Sequence, residues 1–413
     1  MMPQTRVSNP APRWRWELII VLALTVGTGC DKVPKWDEVT GKTQPQASQP
    51  AAELAAATQP AAPVAEPEPP KINSAELIAN FKAIAPGGVS GANIAQVLQA
   101  TEGLEQITEI YSGGNPGIDN NALNLMPGFP ALKFVDLSRT NIDDTGIANL
   151  SKIPTLESIL LDNTNAGDAG IASLSLLPNL KALHLSGCNE LTAAGLASIG
   201  RMPAIEELIL NRVGAVNDQS LNTICEAKTL KRLQRGYCSG LSDAAMYALR
   251  NLEVLEELII AETSVTGEGL GFAAKGGLKN LKKLDMYKCP ITLPGAKMIN
   301  QCKSLEYLVI GAIGMDDKGF QILTKGMSDL KYLRVGACRN FVGSGLTAIK
   351  GAKNLETLSL QNCSIVDKAM PLLKGFKKLK TLDLVGTNVT VDAAQSLKKE
   401  LPECEIITSG GTF

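Results

Sequence analysis

The sequence contains one histidine, His184, and aromatic residues make up only 4% of it. A histidine-based metal site or proton relay therefore has almost nothing to build from. Charge of either sign is not in excess: 40 basic and 41 acidic residues give a formal net charge of -1. That balance argues against a nucleic-acid surface or a polybasic membrane patch. The apolar run over residues 18–26 falls short of the about 20 residues needed to cross a bilayer. No nucleophile elbow is found, and the glycines of Ser112-Gly113-Gly114-Asn115 lack the lysine and spacing of a phosphate loop. No catalytic residue, cofactor or metal is expected. What is abundant is apolar side chain, at 45%, enough for a large interior.

Arg6, Arg13 and Arg15 give a positive start, the apolar run follows, and Gly27-Thr28-Gly29-Cys30 closes the segment. The run has the length of a signal-peptide core. It resembles a bacterial lipoprotein signal, in which cleavage before the cysteine leaves Cys30 to carry a lipid; Gly27 stands where that pattern usually has leucine. The resemblance implies an exported chain anchored at a membrane through an N-terminal lipid or an uncleaved signal, facing the periplasm or cell surface. The other reading is a short helix of a cytoplasmic protein. Residues 31–71 are rich in alanine, proline and glutamine, with Trp36 their only aromatic. Such a stretch cannot bury enough side chain to offset its ordering entropy, so it reads as a tether.

Folding is expected to start at residue 72, with a helical cap over residues 72–106. Asn73-Ser74-Ala75-Glu76 matches a capping box, and Leu77, Ile78, Phe81 and Ile84 give a helical apolar face that ends at Pro86-Gly87-Gly88. A second short helix is expected over about residues 92–99.

From residue 107 to about 400 the chain repeats itself. A Leu-x-x-Leu-x-Leu signature recurs every 24 to 26 residues, at Leu132-Val135-Leu137, Leu156-Ile159-Leu161, Leu180-Leu183-Leu185 and onward to Leu379-Leu382-Leu384. Ile107 opens a degenerate first copy, for about 12 in all, and residues 401–413 read as a closing cap and tail. We number the first leucine of each copy position 1. Later in many copies an acidic residue (Asp144, Asp168, Asp218, Asp243, Asp317, Asp367) precedes a small-then-apolar pair such as Gly146-Ile147 or Gly170-Ile171. That half has the three-to-four spacing of a helix, with the acid at the first turn, where it would face unpaired N–H groups. One strand and one short helix cannot bury their apolar side alone, but stacked copies can. The expected fold is α/β: a right-handed solenoid, or horseshoe, with a parallel sheet on the concave face and helices on the convex face.

Position 9 reads Thr140, Thr164, Cys188, Val213, Cys238, Thr263, Cys289, Ile313, Cys338, Cys363, Thr387. Here the backbone leaves the strand and its polar groups lose their sheet partners. Threonine can bond to them, and cysteine fills the space as a small hydrophobe with a weak S–H donor. Cys188, Cys238, Cys289, Cys338 and Cys363 thus form a structural ladder and need no chemistry. Parallel strands give Cys338 and Cys363 poor disulfide geometry.

These copies resemble the cysteine-containing class of leucine-rich repeats and are similar to the repeats of many exported planctomycete proteins. In eukaryotes such repeats form the substrate-recognition arms of F-box ubiquitin-ligase subunits. The resemblance implies a non-catalytic surface that binds a protein or peptide on the concave face, with a glycan as the other ligand class. A purely structural envelope role and an intracellular adaptor role are the alternatives.

Side chains alternate across a strand, so positions 3 and 5 should face solvent. These include Phe134, His184, Ile209, Arg232, Gln234, Ile259, Lys283, Asp285, Tyr307, Val309, Tyr332 and Arg334, with Arg139, Arg212, Tyr237, Tyr287 and Lys288 at one edge. Four of the six tyrosines fall on this surface. Tyrosine and arginine are enriched at binding hot spots, though aromatics also simply suit strands. The expected partner-binding residues are Tyr237, Tyr287, Tyr307, Tyr332, Arg334, Arg232 and His184. His184 is expected to be exposed, with Leu160 and Ile209 beside it. Arg235 is a misfit in an inward column, where an unpaired charge is costly, so it requires a distorted turn, an acidic partner or the rim.

Overall fold

The leucine spacing is realised as a ladder of short strands. A computed structural model describes residues 73–237, 240–271, 278–311 and 314–413. Cys30 and the segment before residue 73 lie outside the described residues, as does Cys238. The strands are β1 (Glu109–Tyr111), β2 (Phe134–Asp136), β3 (Ser158–Leu160), β4 (Ala182–His184), β5 (Glu207–Ile209), β6 (Arg232–Gln234) and β7 (Glu257–Ile259). They continue as β8 (Lys283–Met286), β9 (Tyr307–Gly311), β10 (Tyr332–Gly336), β11 (Thr357–Ser359), β12 (Thr381–Asp383), β13 (Glu405–Thr408) and β14 (Gly411–Thr412). All fourteen form one sheet in sequence order. Pairing is parallel through β13, and β14 folds back antiparallel. The degenerate copy at Ile107 is part of the ladder, with Ile110 opposite Val135.

Positions 1, 4 and 6 point inward. Leu132, Val135 and Leu137 are fully buried, as are their counterparts Leu305, Leu308 and Ile310. Each such side chain contributes roughly 1.5–3 kcal/mol of transfer free energy, and each is dry only because the next turn covers it. Strands end early for a backbone reason. Position 8 is left-handed in turn after turn: Gly114, Gly187 and Gly386 adopt it, but so do Arg139, Asn163, Arg212, Tyr237, Glu262, Lys288, Ala337 and Asn362. A left-handed residue turns the chain out of the sheet, and it is strained for most of these types.

On the far side run short helices, including Asp144–Leu150, Asp168–Leu174, Ala193–Ile199, Asp218–Ile224 and Asp317–Thr324. Two late turns, Ser344–Gly351 and Asp367–Leu373, wind as 3-10 helix instead of the expected α-helix. Pro371 lies inside the second and cannot donate the α-type bond. The acids at the helix starts also differ from expectation. Each reaches forward to the next turn, not to its own helix. Asp144 accepts from the backbone N–H of Gly167 at 2.7 Å, and Asp168 from Thr192 at 2.8 Å and Gly195 at 2.9 Å. Asp243 accepts from Gly269 at 2.8 Å, and Asp317 from Val342, Gly343 and Gly345. This ladder explains the repeated glycines: a Cβ at Gly170 would lie 2.5 Å from Asp144 Oδ1.

At the first end, the helix Ser74–Ile84 starts at Asn73, whose side chain accepts from Glu76 N–H. A second helix spans Gly91–Val97, slightly earlier than expected. The loop between them closes the open edge of β1: Val89 N–H donates to Tyr111 O at 2.7 Å, and Ser112 Oγ donates to Val89 O at 2.8 Å. At the other end, β13 extends the ladder by one strand, and β14 covers its edge.

Candidate interaction surface

Position 9 behaves as a hinge of hydrogen bonds. Thr140, Thr164, Thr263 and Thr387 each donate to the carbonyl three residues back in their own turn, at 2.6 to 2.8 Å. The cysteines reach into the preceding turn instead: Cys188 Sγ lies 3.1 Å from Leu161 O, and Cys289 Sγ 3.2 Å from Ile260 O. Cys363 Sγ similarly faces Val335 O, while Cys338 Sγ bonds Gly336 O. All four are buried free thiols. Burial pushes Cys225 and Cys302 up to about 12, far from thiolate reactivity.

The open sheet face divides into two clusters. The first is ionic and lies on β4–β6. His184 is only 6% exposed, which corrects the expectation of an open position. Leu160 and Ile209 do flank it in register. The residues that enclose its ring, however, are carboxylates diagonal to it: Glu207 Oε1 at 3.3 Å from Nε2 and Asp162 Oδ2 at 3.9 Å from Nδ1. Arg232 grips Glu207 through Nε at 3.0 Å and through Nη2. Burial would raise the Glu207 carboxyl, but the hydrogen bonds from His184 and Arg232 outweigh it and hold the group below the ordinary glutamate range. Ile209 and Val309, also expected to be exposed, are buried as well. The same pairing continues to β8, where Glu257 accepts from Gln234 at 3.1 Å and from Lys283 at 3.0 Å.

The second cluster is aromatic and lies on β8–β10. Tyr307 and Tyr332 stand opposite each other in register, and their rings stack at 4.1 Å with 10° between planes. Lys283 Nζ sits 5.1 Å from the Tyr307 ring, and the Arg334 guanidinium lies 4.9 Å from the Tyr287 ring. Burial raises the Tyr307 hydroxyl well above its usual range, and the Tyr332 hydroxyl beside it adds to the effect. The Asp285 carboxyl is likewise raised by burial, against the lowering pull of Lys283 and Arg334. β9 and β10 are five residues long where most strands have three. Gly311 permits this: a Cβ there would lie 2.9 Å from the Tyr287 ring.

The structure therefore brings Tyr287, Tyr307, Tyr332 and Arg334 into one patch, and Arg232 and His184 into another. Tyr237 stands apart. It occupies a left-handed position on the rim, is 50% exposed, and packs under Arg212 at 5.1 Å. Arg235 is 1% exposed and turns inward to donate to the Val216 carbonyl of the preceding turn, a charge-assisted bond at the core edge.

One device was missed by reading along the sequence. Position 2 alternates strictly in sign: Lys133, Glu157, Lys181, Glu206, Lys231, Glu256, Lys282, Glu306, Lys331, Glu356, Lys380. Neighbouring members pair across turns, as in Lys133–Glu157 at 3.1 Å, Lys181–Glu157 at 2.7 Å and Lys331–Glu306 at 2.6 Å. Aligning the copies by column would have revealed it. Among the described residues no group of three or more His, Cys, Asp or Glu side chains is placed to hold a metal ion. Nor is any described helix long and apolar enough to cross a membrane.

Comparison with known proteins agrees with this geometry. The leucine-rich-repeat family model matches residues 177–200. No curated protein matches. Among solved structures, an internalin of Listeria monocytogenes is 20% identical, with 79% of this chain and 96% of that chain covered and a TM-score of 0.55. A leucine-rich-repeat protein of Leptospira interrogans is 16% identical, covering 81% of this chain and 98% of that one, with a TM-score of 0.46. A chain of the yeast Rad7–Elc1 complex is 19% identical, covering 78% and 79%, with a TM-score of 0.49. The likeness to the internalin, at 20% identity, is one of fold: the described repeats form a leucine-rich-repeat solenoid.

Proposed function

We propose that this protein is a non-catalytic scaffold that captures a protein or peptide partner on the concave face of its sheet. The observation that carries this reading is the patch of Tyr287, Tyr307, Tyr332 and Arg334: rings and a guanidinium gathered on one solvent-facing stretch of an otherwise aromatic-poor chain. Rigid aromatics with an arginine supply large contact area at low entropic cost. We further propose that the N-terminal segment exports the chain and that Cys30 tethers it to a membrane, on the strength of the basic start, the short apolar run and the Gly-Cys pair.

The test is capture of partners by proximity labelling at the native membrane, repeated with Tyr307→Ala/Tyr332→Ala. The double variant is expected to lose the captured set while its melting transition stays nearly intact. Unchanged capture removes the patch. Mass spectrometry of the mature N-terminus tests the tether, and an intact Met1 sinks it.

A further inference from the structure

Resting on that reading, we propose that the face between Tyr332 and Glu405 is a receptor for a single cationic side chain of the bound polypeptide, arginine above all. Position 3 along the last strands reads Tyr332, Thr357, Thr381, Glu405, each opposite the next in register. Stacking at 10° aligns the tyrosine ring normals with the ladder. One end of that stack is capped from within, by Lys283 against Tyr307. At the other end Tyr332 looks over two threonines. With strands about 4.8 Å apart, those two short side chains leave a gap of roughly 10 Å before Glu405, room for a flat guanidinium laid against the ring.

Two carboxylates, Asp383 and Glu405, border the gap, with one cation at its Tyr332 end: Arg334, whose guanidinium is held by Gln361 Oε1 at 3.2 Å. The deeper row of the gap is Ser359 and Asp383. Asp383 accepts from Val385 N–H at 3.1 Å and from Ser359 Oγ at 3.3 Å, which leaves acceptor capacity unused. Among the described residues, neither Asp383 nor Glu405 has a basic group within the 4.0 Å of an ion pair. Lys380, on the same turn as Asp383, is committed to Glu356 at 2.7 Å. This contrasts with β5–β8, where Glu207 and Glu257 each hold a cation. A ring face, itself negative, beside two uncompensated carboxylates selects a cation and repels an anion. Arginine is favoured over lysine because its plane stacks while its fork meets a carboxylate. The fold already sets a guanidinium over a tyrosine ring once, in Arg334 at 4.9 Å from Tyr287.

The experiment uses the full-length protein and two probes, acetyl-Gly-Arg-Gly-amide and the same tripeptide with citrulline, which keeps the shape and removes the charge. Saturation-transfer NMR is expected to show the arginine probe binding about tenfold more tightly. That preference should vanish in Asp383→Asn and in Thr357→Arg, which supplies a guanidinium from the chain itself. It should persist in Arg139→Gln, at the far end of the sheet. Circular dichroism melts confirm that each variant is folded. Equal binding of the two probes, or a preference that survives Asp383→Asn, overturns the receptor. Peptides selected from an unbiased library separate the two readings. Binding that needs Tyr307 and Tyr332 but shows no basic preference overturns the receptor and leaves the concave-face reading standing. An arginine preference that survives Tyr332→Ala also overturns the receptor, because the ring is then no part of it.

Discussion

Strands β5–β8 and strands β9–β12 share one backbone, one core and one repeat register, yet their open faces differ in kind. On the first stretch position 3 runs Glu207, Arg232, Glu257, Lys283, and each acid meets a base on the next turn. On the second it runs Tyr307, Tyr332, Thr357, Thr381, and the rings stack on each other while the threonines leave space beside them. A surface whose charges are mutually satisfied has little left to offer a ligand, since binding would first have to break those pairs. The second stretch keeps ring faces and carboxylates available. Selectivity is therefore located by where the self-pairing stops.

Five substitutions can break or sharpen this contrast. The largest effect tests the shared core: Leu208→Ala and Leu308→Ala, both fully buried at position 4, should each cost about 3 kcal/mol in denaturant unfolding. A large difference between them would show that the two stretches are not one packing unit. Next, Glu207→Gln should cost about 2 kcal/mol at pH 7, because it strips a buried partner from Arg232 and His184. The Glu207 carboxyl is depressed in the folded state, so its contribution is present above the ordinary glutamate range and is lost as pH falls through the folded value. The gap between wild type and Glu207→Gln should narrow in acid melts, and a gap that widens in acid contradicts the assignment. Partner capture should be unaffected.

Smaller still, Ala337→Gly should stabilise by about 0.5–1 kcal/mol by relieving a left-handed alanine beside the aromatic patch. A destabilised variant would mean that the φ of 59° costs nothing there. The smallest effect belongs to the alternating row at position 2. Lys231→Glu places like charges next to Glu206 and should cost about 0.5 kcal/mol at low salt, fading as salt is added. A salt-independent loss would point to packing instead of charge.

The strand ladder was legible because burial repeats: an inward leucine every turn admits few alternatives, and even the degenerate copy at Ile107 kept Ile110 in its column. The extra strand β13 was not legible as a strand. In its register Ile406 takes the column of Leu382, but the residue three before it is Glu403, and the buried side chain is the neighbouring Cys404. The aromatic patch was half legible. Alternation placed Tyr307 and Tyr332 on the open face, but placed His184 there too, and His184 is enclosed. Alternation states which face a side chain takes. It does not state how far a long neighbour on the next turn reaches over it.

By itself the sequence determined the period, the inward columns, and so the stacking of turns into one sheet, because a coil with one apolar side has no other dry arrangement. Only the tertiary structure decided which polar groups meet. Asp168 reaching the next helix start, Glu207 closing over His184, and Tyr307 stacking on Tyr332 each join residues 23 to 27 apart. Those distances are set by how neighbouring coils register in space, a quantity that no local pattern of the chain contains.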